Sequence, residues 1–94
     1  MLNQAQPRVT IIYCPKCRWL LRATWIAQEL LTTFSEELAE VALRPGESGC
    51  FEILLNVEKL FSREQTGLFP ELKEIKQLVR DRIAPTKDLG HSDR

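Results

Sequence analysis

The chain has 94 residues, with thirteen Lys and Arg residues balanced by thirteen Asp and Glu residues. This length suits one small domain with one hydrophobic core. The balanced charge does not point to nucleic acid or to an anionic membrane as a partner. No apolar segment approaches membrane-spanning length, and residues 1–7 form neither a basic cluster nor an apolar stretch, so we expect a cytoplasmic protein.

The first predicted strand is Val9–Tyr13, and its β-branched residues favour burial on both faces. The motif Cys14-Pro15-Lys16-Cys17 follows it directly. Two thiols between a strand and a helix are typical of a redox-active pair, because the sulfurs can form a disulfide and the helix dipole stabilises a thiolate. Pro15 restricts the turn, and Lys16 supplies a cation that favours the thiolate, the attacking species in thiol–disulfide exchange.

The same motif has other interpretations. A structural zinc site needs four ligands, and outside the pair the sequence offers only Cys50 and His91, so we expect no metal site. Covalent haem attachment needs a histidine directly after the second cysteine, where Arg18 stands. Two buried, inert thiols remain an alternative, because free cysteine packs as a small hydrophobic residue.

The segment from Cys17 to about Phe34 has apolar residues at helical spacing and is predicted to form the first helix. Its predicted core face holds Trp19, Ala23, Ile26, Ala27, Leu30, Leu31 and Phe34. Trp25 falls on the opposite face, among charged residues such as Arg22 and Glu29. We therefore expect Trp25 to be more exposed than Trp19.

Three further strands are predicted at Leu38–Leu43, Cys50–Leu55 and Lys59–Arg63. Residues 45–49 contain proline and two glycines and interrupt the chain between the first two of these strands. The link at residues 56–58 contains no glycine, so the hairpin that it closes is predicted from the strand pattern alone. The order strand, helix, strand predicts a right-handed crossover with parallel outer strands. Residues 64–69 are predicted to form a loop around Gly67.

Pro70 is predicted to open the last helix, and Pro85 to end it. The predicted core face of this helix holds Leu72, Ile75, Leu78, Val79 and Ile83. Residues 1–85 would then form one domain. Residues 86–94 are polar, and we expect a disordered tail there.

The predicted order β-α-β-β-β-α describes a thioredoxin-like α/β fold, a two-layer sandwich of a four-stranded mixed sheet and two helices. Three motifs in that order resemble the small redox proteins related to selenoprotein W, the SelT/SelW/SelH or Rdx-type group. They are Tyr13-Cys14-Pro15-Lys16-Cys17, Gly49-Cys50-Phe51-Glu52-Ile53, and Ser62-Arg63 through Gly67-Leu68-Phe69-Pro70-Glu71. The similarity runs from about Val9 to Pro85.

The resemblance implies a thioredoxin-like fold and a thiol-based oxidoreductase role, often linked to oxidant defence. In the selenium-containing members of the group, selenocysteine occupies the second position of the motif, which corresponds to Cys17. Sulfur is the weaker nucleophile, so we expect disulfide exchange rather than peroxide reduction. Thioredoxins place a cis-proline before the third strand, where this chain has Ser48-Gly49-Cys50, so the resemblance does not extend to a backbone clamp on the substrate.

We predict a thiol–disulfide oxidoreductase that acts in cell redox homeostasis. Cys14 and Cys17 are its catalytic pair, and Pro15 and Lys16 support them. The comparison with thioredoxins favours attack by Cys14, expected to be the more exposed, whereas the position of selenocysteine in the selenoprotein W group favours Cys17; we predict Cys14. We expect no cofactor, and the predicted partners are proteins with thiols or disulfides, and glutathione. The alternative is a protein-binding module in which the sulfurs are a minor feature.

Cys50 is predicted to lie near the end of the sheet that carries Cys14, with its side chain on the face opposite Phe51. One interpretation is a small buried residue at the start of a strand. The other is a third thiol that accepts a mixed disulfide when the pair is blocked.

The alternative function, a protein-binding module, would use a different part of the molecule. Its partner would contact the surface around Trp25 or Phe69.

Overall fold

The computed structural model describes residues 6–90 as a four-stranded sheet with helices packed on it. The strands are β1 (Arg8–Tyr13), β2 (Glu40–Pro45), β3 (Phe51–Leu55) and β4 (Glu58–Ser62). The helices are α1 (Leu20–Thr33), α2 (Arg63–Thr66) and α3 (Leu72–Ile83). Along the chain, α1 lies between β1 and β2, and α2 and α3 follow β4.

The strands lie in the order β2-β1-β3-β4, so β1 is in the interior of the sheet. Strand β2 is parallel to β1, whereas β3 is antiparallel to β1 and β4 is antiparallel to β3. The predicted mixed sheet and the parallel crossover through α1 are confirmed. Tyr13, the last residue of β1, pairs with Pro45 at the end of β2 and with Phe51 at the start of β3. The turn after β1 therefore lies beside the β2–β3 loop.

The core lies between the helices and one face of the sheet. Alternate residues of β1 and β3 are buried there, namely Val9, Ile11, Tyr13, Phe51, Ile53 and Leu55. The helices contribute Ala23, Ile26, Ala27 and Leu30 from α1 and Ile75 and Val79 from α3. Each large aliphatic or aromatic side chain buried in this way stabilises the fold by about 1.5–3 kcal/mol. This packing positions the end of β1 and the residues that follow it.

The first helix starts later than predicted. Arg18 has φ of 62°, in the left-handed region, so the helical backbone cannot run through it and α1 begins at Leu20. Leu31, predicted in the core, is 42% exposed, because it follows the buried Leu30 and turns about 100° away from the sheet. Trp25 is 49% exposed and Trp19 falls in the half-buried class, so their predicted order of exposure is confirmed.

The hairpin between β3 and β4 closes without glycine. Leu55 pairs with Glu58, which leaves a two-residue loop in which Asn56 has φ of 54°. Asparagine tolerates this left-handed conformation better than most residues. The Asn56 amide donates to the carbonyl of Arg8 at 2.7 Å, and its side-chain oxygen accepts from the Arg8 amide at 3.0 Å. The loop is therefore anchored to β1.

A short third helix replaces part of the predicted loop at residues 64–69, so the prediction of two helices is wrong. Helix α2 is one turn, and Gly67, with φ of 73°, ends it. The Arg63 guanidinium donates to the Gly67 carbonyl at 3.1 Å across this turn. The turn redirects the chain from β4 toward α3 and determines where Arg63 and Phe69 lie.

The tail predicted to be disordered begins at Thr86, and the structure describes it as far as Gly90. Leu89 packs against the core, and the Lys87 ammonium lies 3.3 Å from Glu37. The Lys87 carbonyl also accepts from Arg80 at 2.9 Å. Residues 86–90 are therefore attached to the sandwich, and the rest of the predicted tail, residues 91–94, lies outside the described residues.

Candidate functional site

The CxxC motif forms a closed turn directly after β1. Cys14 and Cys17 are joined by a disulfide, with their Cα atoms 5.4 Å apart, which is ordinary for a disulfide. The Arg18 amide donates to the Pro15 carbonyl at 3.1 Å, and the Trp19 amide donates to the Cys14 carbonyl at 3.4 Å. The structure therefore brings the two predicted catalytic sulfurs together in a turn with its own backbone hydrogen bonds.

The two sulfurs differ in access, and not in the predicted sense. Cys14 is completely buried, Cys17 is half-buried, and Pro15 and Lys16 between them are exposed. The expectation that Cys14 is the more exposed cysteine is wrong. Cys14 continues an interior strand of the sheet, whereas the chain has already left the sheet at Cys17. In the disulfide form, Cys17 is therefore the more accessible residue of the pair.

The turn supplies a backbone hydrogen bond to the buried sulfur. The Cys17 amide donates to the Cys14 sulfur of the disulfide at 3.1 Å, and in the reduced protein a donor at this position would stabilise negative charge on that sulfur. The dipole of α1 contributes less than predicted, because the helix begins at Leu20, after Cys17, and the effect decreases within one turn. The predicted electrostatic support from the helix terminus is therefore supplied instead by the amide of Cys17.

Three aromatic rings pack together beside the turn, and we call Trp19, Phe51 and Phe69 the aromatic cluster. Their ring centroids lie 4.8 Å apart for Trp19 and Phe69, 5.5 Å for Phe51 and Phe69, and 6.3 Å for Trp19 and Phe51, all edge to face. Such pairs contribute about 0.5–1.5 kcal/mol beyond their buried area. Because Phe51 pairs with Tyr13 across the sheet, the cluster lies at the end of β1 that carries the disulfide.

Two guanidinium groups lie on the aromatic cluster. The Cζ atom of Arg22 is 3.7 Å from the Phe69 ring centroid, and that of Arg63 is 4.4 Å from the same ring and 5.2 Å from Trp19. Sequence reasoning assigned Arg22 to the polar face of a helix and Arg63 to the end of a strand. It missed their meeting on Phe69, although Arg63 and Phe69 both fall in the third motif of the resemblance.

Cys50 lies close to Gly46 and Ile12. A Cβ atom added at Gly46 would lie 2.7 Å from the Cys50 sulfur and 2.5 Å from Ile12 Cγ2. Ile12 alternates with the core residues of β1, so Cys50 points to the face opposite Phe51, as predicted. Burial raises the pKa of the half-buried Cys50 thiol, and the Glu52 carboxylate adds to the rise. The thiol therefore favours its protonated, unreactive form.

A cleft of about 350 Å³ lies next to this site, between the β2–β3 loop and α2, and Cys50, Phe51 and Arg63 are among the residues that line it.

Within residues 6–90, no three His, Cys, Asp or Glu side chains are grouped closely enough to hold a metal ion. His91, the remaining candidate ligand from the sequence, lies outside the described residues. None of the helices in the described part of the chain is long and apolar enough to cross a membrane.

Residues 8–81 match the Rdx family. Two solved structures are similar to this chain in sequence and in fold. The crystal structure of a selenoprotein W-related protein from Vibrio cholerae is 49% identical, with a TM-score of 0.79 over 82% of this chain and 96% of that one. A crystal structure from Bordetella parapertussis is 54% identical, with a TM-score of 0.81 over 84% of this chain and 100% of that one. The thioredoxin-like fold and the resemblance to selenoprotein W-related proteins are confirmed.

Two curated relatives carry the name Migration and invasion enhancer 1. The Bos taurus protein is 32% identical over 75 residues, which are 78% of this chain and 62% of the relative. The Mus musculus protein is 32% identical over 74 residues, which are 77% of this chain and 61% of the relative. The chain thus spans less than two thirds of the length of these curated relatives.

Proposed function

The chain belongs to the Rdx family, and we propose from this premise that it is a thiol–disulfide oxidoreductase with Cys14 and Cys17 as its redox pair. The observation that carries the proposal is their disulfide, in a turn whose middle residues, Pro15 and Lys16, are exposed. An exposed turn lets the sulfur of a partner approach the pair, and the spacing lets the pair close on itself.

The reaction follows from the difference in access between the two sulfurs. In the reduced protein, the Cys17 thiolate attacks one sulfur of a partner disulfide, a mixed disulfide forms, and the other partner sulfur leaves as a thiolate. The Cys14 thiolate, favoured by the Cys17 amide, then attacks the Cys17 sulfur and displaces the second partner thiolate. Two electrons pass to the partner, and the protein is left with the disulfide that the structure contains.

The cycle closes when a dithiol protein or a low-molecular-mass thiol such as glutathione reduces the disulfide. That step oxidises the donor to its own disulfide and returns two electrons to the pair. The partners in both directions are thus proteins with accessible thiols or disulfides, together with glutathione. A role in cell redox homeostasis or oxidant defence, in the cytoplasm, is consistent with this chemistry.

Redox titration of the folded protein tests the proposal. We expect the Cys14–Cys17 pair to oxidise and reduce reversibly, at a midpoint of about −270 to −200 mV, the range of thioredoxins and glutaredoxins. The Cys14→Ser and Cys17→Ser variants should each lose the two-electron transition, whereas the control variant Cys50→Ser should retain it. A pair that changes redox state only when the protein unfolds would overturn the proposal.

A binding function is the second candidate, and an exposed apolar surface on α1 favours it. Leu21 is 81% exposed and Trp25 is 49% exposed, and residues four apart share one side of a helix. The name of the curated relatives describes a cellular effect and not a reaction, so it is compatible with either function. If the folded protein exchanges electrons with no thiol or disulfide, binding through this surface becomes the better explanation.

A further inference from the structure

Four cationic side chains lie in or beside the redox turn, and we propose that they select partners whose reactive cysteine is flanked by acidic residues. They are Lys16, Arg18, Arg22 and Arg63, and we call them the cationic rim. The inference rests on the proposed oxidoreductase function and adds the class of substrate to it. The substrate is an acidic protein segment that presents a disulfide to Cys17.

The rim stands out because, within residues 6–90, none of its four charges forms an ion pair with a carboxylate. Six other Lys and Arg residues between residues 6 and 90 form ion pairs with carboxylates. The rim holds four of the remaining six cations in that range, and Arg44 and Lys73 are the other two. In a chain whose formal net charge is zero, positive charge is therefore concentrated where the partner must approach.

The aromatic cluster holds two of the rim groups in fixed positions. Arg22 and Arg63 both lie over the Phe69 ring, with Cζ to ring-centroid distances of 3.7 Å and 4.4 Å. A guanidinium that contacts a ring through its Cζ atom still has N–H groups that can donate to a carboxylate. Arg63 uses one donor on the Gly67 carbonyl and keeps the rest.

The backbone connects these groups to the reactive sulfur. Trp19, two residues after Cys17, lies edge to face with Phe69 at 4.8 Å, and its amide donates to the Cys14 carbonyl. The Phe69 ring, which both guanidinium groups contact, therefore packs against a residue that is hydrogen-bonded to the turn. Lys16 and Arg18 lie within or directly after the motif, and both are exposed. An acidic segment bound at Cys17 would therefore lie close to Lys16 and Arg18, its neighbours in the sequence.

The acidic residues nearby limit where such a segment can lie. Glu47 and Glu64 line the same cleft as Arg63, and they would repel a carboxylate that enters it. The favourable positions are therefore outside the cleft, along Lys16, Arg18 and Arg22. Each new pair of exposed charges should change the reaction rate by about two- to fivefold, and the field of the whole rim should raise the encounter rate by about tenfold at low salt.

Three disulfide peptides that differ only in the residues flanking their cysteines provide the test. These residues are Glu in the first peptide, Gln in the second and Lys in the third, and the reduced protein is mixed with each in turn. We expect the second-order rate constant to fall in that order, with about a tenfold ratio between the Glu and Lys peptides at about 0.01 M salt. The ratio should decrease toward one at about 0.5 M salt, where charges are screened.

Matched variants assign the preference to the rim. Arg22→Gln should reduce the Glu-to-Lys rate ratio by about two- to fivefold, and Arg22→Lys should retain more of the ratio than Arg22→Gln. Arg63 lines the cleft with Glu47 and Glu64, so Arg63→Gln should reduce the ratio less than Arg22→Gln. Arg8→Gln is the control, because it makes the same charge change at the opposite end of β1 and should leave the ratio unchanged. Each ratio is measured with a single variant. A smaller folded fraction would lower the rates with both peptides equally, so it would not change the ratio.

Equal rates for the three peptides would overturn the preference and leave the oxidoreductase function intact. An Arg8→Gln variant that lowers the ratio as much as Arg22→Gln would also overturn it, because net charge and not the rim would then explain the rates. Reaction with none of the peptides would overturn the proposed function itself, and the inference with it.

Discussion

The Cys17 amide donates a hydrogen bond to the Cys14 sulfur at 3.1 Å, although Cys14 is the buried member of the pair and Cys17 the accessible one. Stabilisation of a thiolate and access for a partner, which one nucleophilic cysteine could combine, are thus divided between two residues. The hydrogen bond favours a thiolate at Cys14, and the position of the turn gives access to Cys17. Attack on a partner and resolution of the mixed disulfide are therefore assigned to different sulfurs.

Alkylation of single-cysteine proteins tests this division. In a Cys50→Ser background, the Cys14→Ser variant, which retains Cys17, should react about tenfold faster with iodoacetamide than the Cys17→Ser variant, because access limits the rate. Mass spectrometry of the adducts over time gives both rates. Faster modification of the protein that retains Cys14 would mean that the amide donor outweighs burial, and that Cys14 attacks first.

Cys50 should be the least reactive of the three thiols. Burial raises its pKa, so less of it is thiolate near neutral pH, and we expect alkylation in the folded protein to be about tenfold slower than at Cys17. Oxidised glutathione should modify Cys50 only after denaturation. An adduct on Cys50 in the folded state, formed as fast as on the pair, would assign it a redox role.

The raised pKa of Cys50 also predicts a pH dependence of stability. A thiol that keeps its proton to a higher pH in the folded state stabilises that state below its unfolded pKa, and this contribution is lost as the pH rises through the folded pKa. The free energy of unfolding of the wild type should therefore decrease more steeply in alkaline solution than that of Cys50→Ala. Urea titrations between pH 7 and pH 10 on both proteins would show parallel curves if the thiol makes no such contribution.

The two tryptophans should differ in fluorescence quenching. Trp25 is 49% exposed, whereas Trp19 packs against Phe51 and Phe69. Acrylamide should therefore quench the Trp19→Phe variant, which retains Trp25, more strongly than the Trp25→Phe variant. Circular dichroism is the control that both variants are folded. The opposite order would contradict the orientation assigned to α1.

Gly46 should not accept a larger side chain. The Cβ of alanine there would lie 2.5 Å from Ile12 Cγ2 and 2.7 Å from the Cys50 sulfur, so Gly46→Ala should destabilise the protein by about 1–3 kcal/mol in urea unfolding. Ile12→Ala removes the closest atom, and the double variant should lose less stability than the sum of the single variants. Additive losses would show that the strain lies elsewhere.

The features predicted correctly from the sequence are those that neighbouring residues determine. Local patterns predicted the β-branched strand β1, the apolar spacing in α1 and α3, and the hairpin between β3 and β4. Helix α2 was missed because Arg63 continues the pattern of a strand and one helical turn is too short to show periodicity. The late start of α1 was missed because Arg18 has a left-handed backbone without being glycine.

The site itself was predicted in part. The pair is visible from the spacing of Cys14 and Cys17, but their order of exposure depends on the interior position of β1, which the sequence alone does not reveal. The meeting of Arg22 and Arg63 on Phe69 joins residues from three separate segments. Contacts of this kind arise from tertiary packing, and no periodicity in the sequence predicts them.

The left-handed backbone at Arg18 separates the hydrogen bonds of the redox turn from those of α1. The Arg18 and Trp19 amides bond back into the turn, while the first amide of α1 that bonds to the helix is that of Ala23, which donates to Trp19 at 3.0 Å. We therefore expect reduction of the disulfide to change the turn more than the sheet and the helix.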